Sequence, residues 1–183
     1  MGKEEKMFAR FYPHDYVDSA YEIDFAKLYG EGYRAVLFDV DNTLVPHGAP
    51  ADERSKKLIR ELRDLGYQVM FLSNNKEPRV RMFRDGVGYG EYIYKAGKPN
   101  PASYRKAMDR FGTDTGNTLF VGDQLFTDVW GANRAGIRTF LVKPIHPKEE
   151  IQIVLKRRLE AIVLFFYRKK VEREKNRKRD RLW

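Results

Sequence analysis

One apolar run constrains the fold of this chain more than any other stretch. Residues 35–38 are Ala-Val-Leu-Phe without a polar interruption, and the run is followed by Asp39 and Asp41. A strand that is apolar on both sides is typical of a parallel sheet covered by helices. Side chains two residues apart on an extended chain point to the same side. We therefore expect both carboxylates to project together from the carboxyl end of a buried strand.

From this segment alone, Asp39 and Asp41 allow two interpretations. Two neighbouring carboxylates repel each other unless a cation lies beside them, so the pair can mark a divalent-metal site with an acid/base partner. Asp and Asn also favour turns and helix N-termini, so the same residues can form a plain turn or a cap. Ligands of open α/β sheets bind at the carboxyl ends of the strands, which is where this pair is expected.

The composition fits a globular domain with a basic tail. The 183 residues are 42% hydrophobic and include no cysteine, which excludes disulfides, thiol nucleophiles and thiolate metal sites. Of the net charge of +9, most lies in residues 151–183, which contain 12 Lys/Arg and 4 Asp/Glu. The charged N-terminus lacks the apolar segment of a signal peptide, and no apolar run approaches the roughly 20 residues that span a bilayer. We expect a cytoplasmic protein.

Strands and helices alternate through residues 34–142. This alternation predicts an α/β fold with a parallel five-stranded sheet and helices on both faces. The helix that starts at residue 52 should stop at Gly66, and the next should be capped by Asn74 or Asn75 and close at Gly86. The predicted strands are about 34–40, 67–72, 92–94, 118–121 and 137–142, and the predicted helices are 52–65, 77–85, 101–111 and 126–135.

Polar side chains follow the predicted strands where they end, and others open the neighbouring helices. In a doubly wound sheet these groups converge at one edge. A hydroxyl, a lysine and helix N-terminal amides bind phosphate, while Asp123 with Asp39 would hold a hard cation such as Mg2+. An aspartate is then free to attack phosphorus, so the set suits phosphoryl transfer. The converging residues are Asp39, Asp41, Ser73, Asn74, Lys98, Asp123 and Asp128.

These motifs resemble those of the haloacid dehalogenase (HAD) superfamily of phosphatases. Residues 39–43, Asp-Val-Asp-Asn-Thr, are similar to its first motif, Asp-x-Asp-x-Thr. Ser73 matches the second motif, Lys98 the third, and Gly122-Asp123 with Asp128 the fourth. The resemblance covers roughly residues 34–142 and implies a Rossmann-like three-layer sandwich.

A narrower resemblance is to the YqeG-type branch, class IIIA, which includes phosphatidylglycerophosphate phosphatases of bacteria and mitochondria. The Asp-Val-Asp-Asn-Thr-Leu-Val run, the Ser-Asn-Asn triplet, the Lys-Pro-x-Pro step and the Gly-Asp-Gln-Leu-x-Thr-Asp segment carry it. It implies a Mg2+-dependent phosphomonoesterase of phospholipid biosynthesis, with phosphatidylglycerophosphate as the expected substrate.

The resemblance also implies a role for each motif residue. Asp39 would be the nucleophile that forms an aspartyl-phosphate, and Asp41 the general acid and then the base. Asp128 would support the metal or orient Lys98; a helix N-terminal charge is the alternative. The implied catalytic set is Asp39, Asp41, Thr43, Ser73 and Lys98, the phosphate-binding set is Ser73, Asn74 and Lys98, and the metal set is Asp39, Asp41 through its backbone carbonyl, Asp123 and Asp128.

The intervals between the motifs are too short for a large cap domain. About 30 residues separate Thr43 from Ser73, and about 25 separate Ser73 from Lys98. Neither interval holds more than one helix with its loops, so we expect an open site. An open site cannot close over a small molecule to exclude water. It suits a phosphate on a large substrate, or a site completed by a homo-oligomer or a membrane.

The two ends of the chain are predicted to lie outside a catalytic core at 34–147. Residues 1–33 are rich in aromatic side chains and form either an adaptor segment or an ordinary part of the core. Residues 148–179 predict one long helix in a basic C-terminal tail, 148–183. Its seven-residue apolar run, 161–167, lies between basic clusters, a pattern typical of a helix on an anionic membrane surface.

Three functions are compatible with this tail. The first is a lipid phosphatase that lies at the inner face of the membrane, bound through residues 151–183. The second is a phosphatase of a soluble metabolite whose oligomer supplies the cap, with the tail packed on the sheet. The third is a HAD scaffold bound to RNA or the ribosome, since basic and aromatic residues also bind nucleic acid.

Overall fold

The structure is a computed structural model that describes residues 8–146 and 151–180, with side chains described as far as 177 and, in the last helix, only from 158 onward. The chain divides into two compact units. The larger unit is Pro13–Pro147, and the smaller is formed by Met1–Tyr12 with Lys148–Trp183.

The larger unit is built on one sheet of six parallel strands, in the order β1-β6-β5-β2-β3-β4. Strand β2, the predicted apolar run, lies near the middle between β5 and β3. The predicted α/β class is confirmed, with one strand more than the five expected. The strands are β1 (Asp15–Val17), β2 (Ala35–Phe38), β3 (Gln68–Leu72), β4 (Glu91–Ile93), β5 (Thr118–Gly122) and β6 (Arg138–Val142).

Helices cover both faces of the sheet, so the larger unit is a three-layer sandwich. They are α1 (Phe25–Gly30), α2 (Glu53–Leu65), α3 (Glu77–Val87), α4 (Ala102–Phe111) and α5 (Trp130–Ala135), with α6 (Ile151–Asp180) in the smaller unit. Alternate side chains of β2 enter opposite cores. Phe38 packs with residues of α1, α2 and α3, whereas Leu37 packs with residues of α4 and α5. All four residues of β2 are buried, as its composition predicts.

Helix α2 has the boundaries that its sequence predicts. Asp52 caps its start, because its carboxylate accepts a hydrogen bond from the Ser55 amide while the Ser55 hydroxyl accepts one from the Asp52 amide. The helix ends at Gly66, which takes the left-handed conformation with φ of 94°. The buried face of the helix packs in the core cluster that also contains Phe38 of β2. This face consists of Leu58, Ile59 and Leu62.

Strand β1 was not predicted. It lies in the aromatic-rich N-terminal segment and pairs with β6, so that Asp15 stands opposite Phe140 and forms an ion pair with Arg138. Three partly buried residues carry too little alternation to mark a strand. Helix α1 in the same segment buries Phe25 and Leu28, and the Asp24 side chain caps its start by accepting a hydrogen bond from the Lys27 amide. Residues 13–33 lie in the same compact unit as residues 34–147.

Helix α3 differs from its prediction at both ends. Its N-cap is Lys76, because the Asn75 side chain is used elsewhere, and it ends at Gly88 rather than Gly86. Gly86 lies inside the helix, where a Cβ atom would approach the Cβ of Ala51 to 2.8 Å. This glycine therefore permits close packing between the helix and the loop before α2, and it is not a stop signal.

In the smaller unit, α6 matches most of the long helix predicted for 148–179. The residues 147–150 lie outside the described part of the chain. Phe8 stacks on Phe166 with ring centroids 5.6 Å apart, and Tyr12 meets Tyr167 edge-on at 5.5 Å. No helix in the described residues combines the length and apolar content that a membrane span needs.

Candidate active site

The carboxyl ends of β2, β3 and β5 bring most of the predicted site residues to one edge of the sheet. Asp39 directly follows β2, and its amide donates to the carbonyl of Val121 in β5 at 2.9 Å. Ser73 follows β3, and Asp123 follows β5. Adjacent parallel strands therefore fix these residues side by side, as the strand-end pattern predicts.

Three of the predicted metal ligands form a compact group. Asp39, Asp123 and Asp128 are buried, and each offers a carboxylate oxygen within 4.8 Å of the others. The Lys98 ammonium lies 2.5 Å from Asp39 Oδ1 and 2.7 Å from Asp128 Oδ1. Thr43 Oγ1 lies 3.5 Å from Asp39 Oδ2 and 3.4 Å from Asp123 Oδ1. Lys98 is thus an internal cation of this cluster and not a solvated surface lysine.

The surroundings of this cluster shift its ionisation. Burial raises the pKa of Asp39 to about 7, although the Lys98 ammonium opposes this shift. Burial also opposes the charged form of Lys98, but the Asp128 and Asp39 carboxylates outweigh it and raise the pKa of Lys98 above its ordinary value. Lys98 is therefore protonated at neutral pH. Without a metal, the Asp39 carboxyl is partly protonated near neutral pH.

Asp128 is fixed by the backbone on either side of it. It lies in a π-helical turn, Leu125–Val129, and its Oδ2 accepts a hydrogen bond from the Gln124 amide at 3.1 Å. Gly122 makes room for it, because a Cβ atom there would lie 2.6 Å from Asp128 Oδ2. The glycine of the fourth motif is thus needed so that the carboxylate can approach the strand end.

Asp41 has a different environment from Asp39. Its Oδ1 accepts hydrogen bonds from the Gly48 amide at 2.7 Å and from Arg79 at 2.8 Å (Nη2) and 3.2 Å (Nε), and its Oδ2 accepts one from Asn75 Nδ2 at 2.7 Å. The structure does not bring its carboxylate into the three-aspartate group, so only its backbone carbonyl remains as the implied metal contact.

Asn74, which was predicted to bind phosphate, has its side chain on the backbone of Lys98. Its Oδ1 accepts a hydrogen bond from the Lys98 amide at 2.9 Å, and its Nδ2 donates to the Lys98 carbonyl at 3.2 Å. The side chain therefore binds the backbone of Lys98 through its oxygen and through one of its two N–H groups. Ser73 is buried, and its hydroxyl accepts a hydrogen bond from the Asn75 amide at 3.2 Å, which leaves it able to donate.

Comparisons with known proteins agree with this arrangement. The Bacillus subtilis (strain 168) protein named Probable phosphatase YqeG is 32% identical over 161 residues, which cover 87% of this chain and 93% of that protein. A HAD-hydrolase-like family model matches residues 95–150, which contain Lys98, Asp123 and Asp128. This chain belongs to the HAD superfamily of phosphatases. Its similarity to YqeG places it in the YqeG-type branch.

Two further relatives of this HAD phosphatase bear on its fold and branch. Phosphatidylglycerophosphate phosphatase 1, chloroplastic/mitochondrial, of Arabidopsis thaliana is 28% identical over 169 residues, which cover 83% of this chain and 47% of the plant protein. The chain thus spans about half the length of that relative. The crystal structure of a HAD phosphatase from Thermococcus onnurineus matches 64% of this chain and 90% of its own, with a TM-score of 0.50 and 17% identity.

In the described residues between Thr43 and Lys98, this HAD phosphatase has no large cap domain, as the motif spacing predicts. Between Thr43 and Ser73 the chain contains a loop, α2 and β3, and between Ser73 and Lys98 it contains α3 and β4. Both helices pack on the sheet and contribute buried side chains to its core.

Sequence reasoning missed the residues that surround Asp41. Arg79 lies in the first turns of α3 and Asn75 in the loop before it, 38 and 34 residues from Asp41. Arg79 lies in no motif, and Asn75 was expected to cap the helix. A signal did exist in the triplet Ser73-Asn74-Asn75, since two amides directly after a strand end are placed to hold site residues.

Proposed function

We propose that this chain is a Mg2+-dependent phosphomonoesterase that works through an aspartyl-phosphate on Asp39 and acts on a lipid-linked phosphate such as phosphatidylglycerophosphate. The observation that carries the chemistry is the buried group of Asp39, Asp123 and Asp128, with the Lys98 ammonium paired to Asp39 and Asp128. The rest of the proposal follows from what these groups need and from what surrounds them.

The carboxylate group fits a divalent metal. When all four groups are ionised, their own charges sum to −2, and one divalent cation carries the opposite charge. Hard oxygen donors in small number suit Mg2+, which keeps several waters and takes the substrate phosphate as a ligand. Asp39 and Asp123 would hold the ion, with Asp128 beside them. When bound, it would offset the charge that builds up on the phosphoryl oxygens.

In the first step an Asp39 oxygen attacks phosphorus. The new bond joins Asp39 to phosphorus, and the bond from phosphorus to the ester oxygen breaks. Asp41 gives its proton to the departing oxygen, which leaves as an alcohol. Lys98 and the Ser73 hydroxyl hold the phosphoryl oxygens during this transfer, since both can donate hydrogen bonds to an anion.

In the second step water removes the phosphoryl group from Asp39. Asp41, now ionised, accepts a proton from the water as its oxygen attacks phosphorus. The bond between phosphorus and Asp39 breaks, which frees inorganic phosphate and restores the carboxylate. Two aspartates two residues apart thus divide the work between nucleophile and proton carrier.

The absence of a large cap in residues 8–146 supports a large substrate. A site without a closing lid favours a phosphate that a membrane surface presents, because the lipid itself restricts access of water. The plant relative is named as a phosphatidylglycerophosphate phosphatase, which offers a concrete lipid of this kind. We infer the same substrate class for this chain.

Helix α6 offers a way to bind an anionic membrane surface. Ile162 and Phe165 are about half exposed, and Arg158 and Lys169 lie on the same side of the helix at spacings of four and seven residues. Leu159 beside them is also about half exposed. An apolar row between basic side chains suits a helix that lies in a lipid interface with its charged groups at the headgroups. This would place the enzyme at the inner face of the membrane.

The substrate test is phosphate release measured side by side on three classes of ester. Phosphatidylglycerophosphate in mixed micelles, sugar phosphates and nucleotides would be compared at equal concentration, with Mg2+ and with a chelator. We expect Mg2+-dependent release that is highest on the lipid. Preference for a sugar phosphate would contradict the lipid substrate and favour a soluble metabolite, for which a sizing column would show whether an oligomer supplies the cap.

The membrane test uses the full chain with L159S, I162S and F165S combined. We expect weaker binding to anionic vesicles and unchanged turnover of a soluble ester. The matched control is E172S, at an exposed polar position of the same helix. Equal vesicle binding by all three proteins would contradict the role of the tail. A salt-sensitive complex with RNA, without turnover of the lipid, would instead favour a nucleic-acid-binding scaffold.

A further inference from the structure

The side chain of Asp41 is held from outside the motif that contains it. Its two oxygens accept four hydrogen bonds, from Gly48, Asn75 and Arg79. Arg79 supplies two of these bonds, both to Oδ1. By contrast, Asp39 forms an ion pair with Lys98 and accepts a hydrogen bond from the Thr43 hydroxyl. The two aspartates thus have separate sets of partners.

Arg79 is the strongest of the partners of Asp41. Its side chain is 14% exposed and that of Asp41 is 10% exposed, so the ion pair is largely shielded from water. A planar guanidinium that bonds through two nitrogens fixes both the position and the rotation of a carboxylate. Asn75 fixes the second oxygen from the other side. A carboxylate held in this way has little freedom to turn out of the site.

We propose that Arg79 is a positioning residue, which holds the Asp41 carboxylate where it can exchange a proton with the leaving oxygen of the ester. This inference rests on the proposed function, because it needs Asp41 to be the general acid. A small misplacement of a catalytic group can cost about a hundred-fold in rate, and a general acid contributes about 10^2 to 10^4-fold. The cost of losing Arg79 should therefore depend on how much the leaving oxygen needs a proton.

Two aryl phosphates of similar shape distinguish positioning of the general acid from an effect on steps that both esters share. Phenolate is a much stronger base than p-nitrophenolate, so phenyl phosphate needs an acid at its leaving oxygen and p-nitrophenyl phosphate scarcely does. Binding of the phosphate group, attack by Asp39 and the later hydrolysis of the aspartyl-phosphate are common to both esters. The readout is kcat/KM, which reports the steps up to departure of the alcohol and excludes the common hydrolysis.

The variants are R79Q, R79K, N75A and D41N in the full-length protein with Mg2+. We expect R79Q to lose about ten- to a hundred-fold in kcat/KM on phenyl phosphate and less than about threefold on p-nitrophenyl phosphate. R79K keeps the charge and should recover part of the loss. N75A removes one bond to Oδ2 and should show a smaller difference of the same sign, and it keeps the test available if R79Q does not fold.

The control is R81Q. Arg81 lies on the same helix, is mostly exposed, and pairs with Glu77 and Tyr92 rather than with Asp41. R81Q should leave kcat/KM unchanged on both esters. Equal losses on both esters in R79Q and N75A, or no loss in either, would overturn the role of Arg79.

D41N distinguishes this failure from a failure of the proposed function. If D41N discriminates between the two esters and R79Q does not, only the inference on Arg79 is wrong. If D41N itself fails to discriminate, Asp41 is not the general acid and both statements fall. If the unaltered protein hydrolyses neither ester, the proposed phosphatase chemistry is contradicted, and the role of Arg79 with it.

Discussion

Asp39 and Asp41 leave the same strand end two residues apart, yet their surroundings are opposite. Asp39 joins two other carboxylates and depends on one lysine for compensation. Asp41 accepts four hydrogen bonds from donors and stands apart from that group. A carboxylate placed among other carboxylates is suited to a metal and to attack on phosphorus, whereas one held by four donors is fixed in position. The environment, and not the residue type, sets the role.

The largest difference between the two aspartates should appear when each is neutralised. D39N removes the nucleophile and should lower turnover of every phosphomonoester by at least about a thousand-fold. D41N should keep measurable release of p-nitrophenol from p-nitrophenyl phosphate, because that leaving group scarcely needs an acid. Steady-state kinetics of the two variants on this ester provides the measurement. Substantial activity in D39N would contradict the division of roles.

The next largest effect should follow removal of the lysine that pairs with Asp39 and Asp128. K98M leaves buried carboxylates without compensation and should destabilise the protein by about 3–5 kcal/mol at neutral pH, measured by urea unfolding without metal. K106M is the matched control, since Lys106 is exposed on α4. A K98M protein as stable as K106M would show that Lys98 does not compensate the cluster.

The pH dependence of D39N should reveal the cost of the buried charge. Burial raises the pKa of Asp39 to about 7 in the folded chain, well above its ordinary value of 3.8. The folded state therefore keeps a proton that the unfolded state releases, so stability falls as pH rises through this window and levels off above it. In chelator, the Tm of D39N should exceed that of the unaltered protein by more at pH 8 than at pH 5.

Addition of Mg2+ supplies the check on this pH effect. Mg2+ should reduce the Tm difference between D39N and the unaltered protein at pH 8, because the ion stabilises the ionised carboxylates of the unaltered protein. A difference that is the same at both pH values would show that the ionisation of Asp39 carries no such cost.

The smallest of these effects concerns the close approach of Asp128 to its strand end. G122A would place a Cβ atom 2.6 Å from Asp128 Oδ2, so the carboxylate or the strand must move. We expect a loss of about 1–3 kcal/mol in stability together with reduced turnover. The control is G30A, where a Cβ atom would meet nothing within 4 Å. Equal stability and equal turnover in G122A and G30A would show that the close approach of Asp128 to Gly122 does not matter for function.

The central sheet and the Asp39 group could be predicted from sequence because their signals are local. Apolar runs mark strands β2, β3, β5 and β6, and the first three end in a polar residue that the sheet then brings to one edge. Strand β1 escaped prediction since it has three residues and depends on pairing with β6, whose partners are more than a hundred positions away. Its ion pair between Asp15 and Arg138 has no sequence signature.

The partners of Asp41 could not be predicted for a related reason. Arg79 is one of several arginines on α3, and only the packing of that helix decides which one faces the strand end. Asn74 was predicted as a site residue and Asn75 only as a possible helix cap, and the groups that they contact were not predicted. Asn74 holds the backbone of Lys98, and Asn75 holds Asp41. Residue type and position identified the site, while the directions of its side chains required the fold.

Identification of the phosphorylated residue during turnover tests the division of roles most directly. Protein would be quenched in acid during hydrolysis of p-nitrophenyl phosphate and mapped by mass spectrometry. We predict a phosphoryl group on Asp39 that accumulates further in D41N, because loss of the base slows attack by water, and that is absent in D39N. A phosphoryl group on Asp41, or none on Asp39 in a D41N protein that still releases p-nitrophenol, would contradict the account.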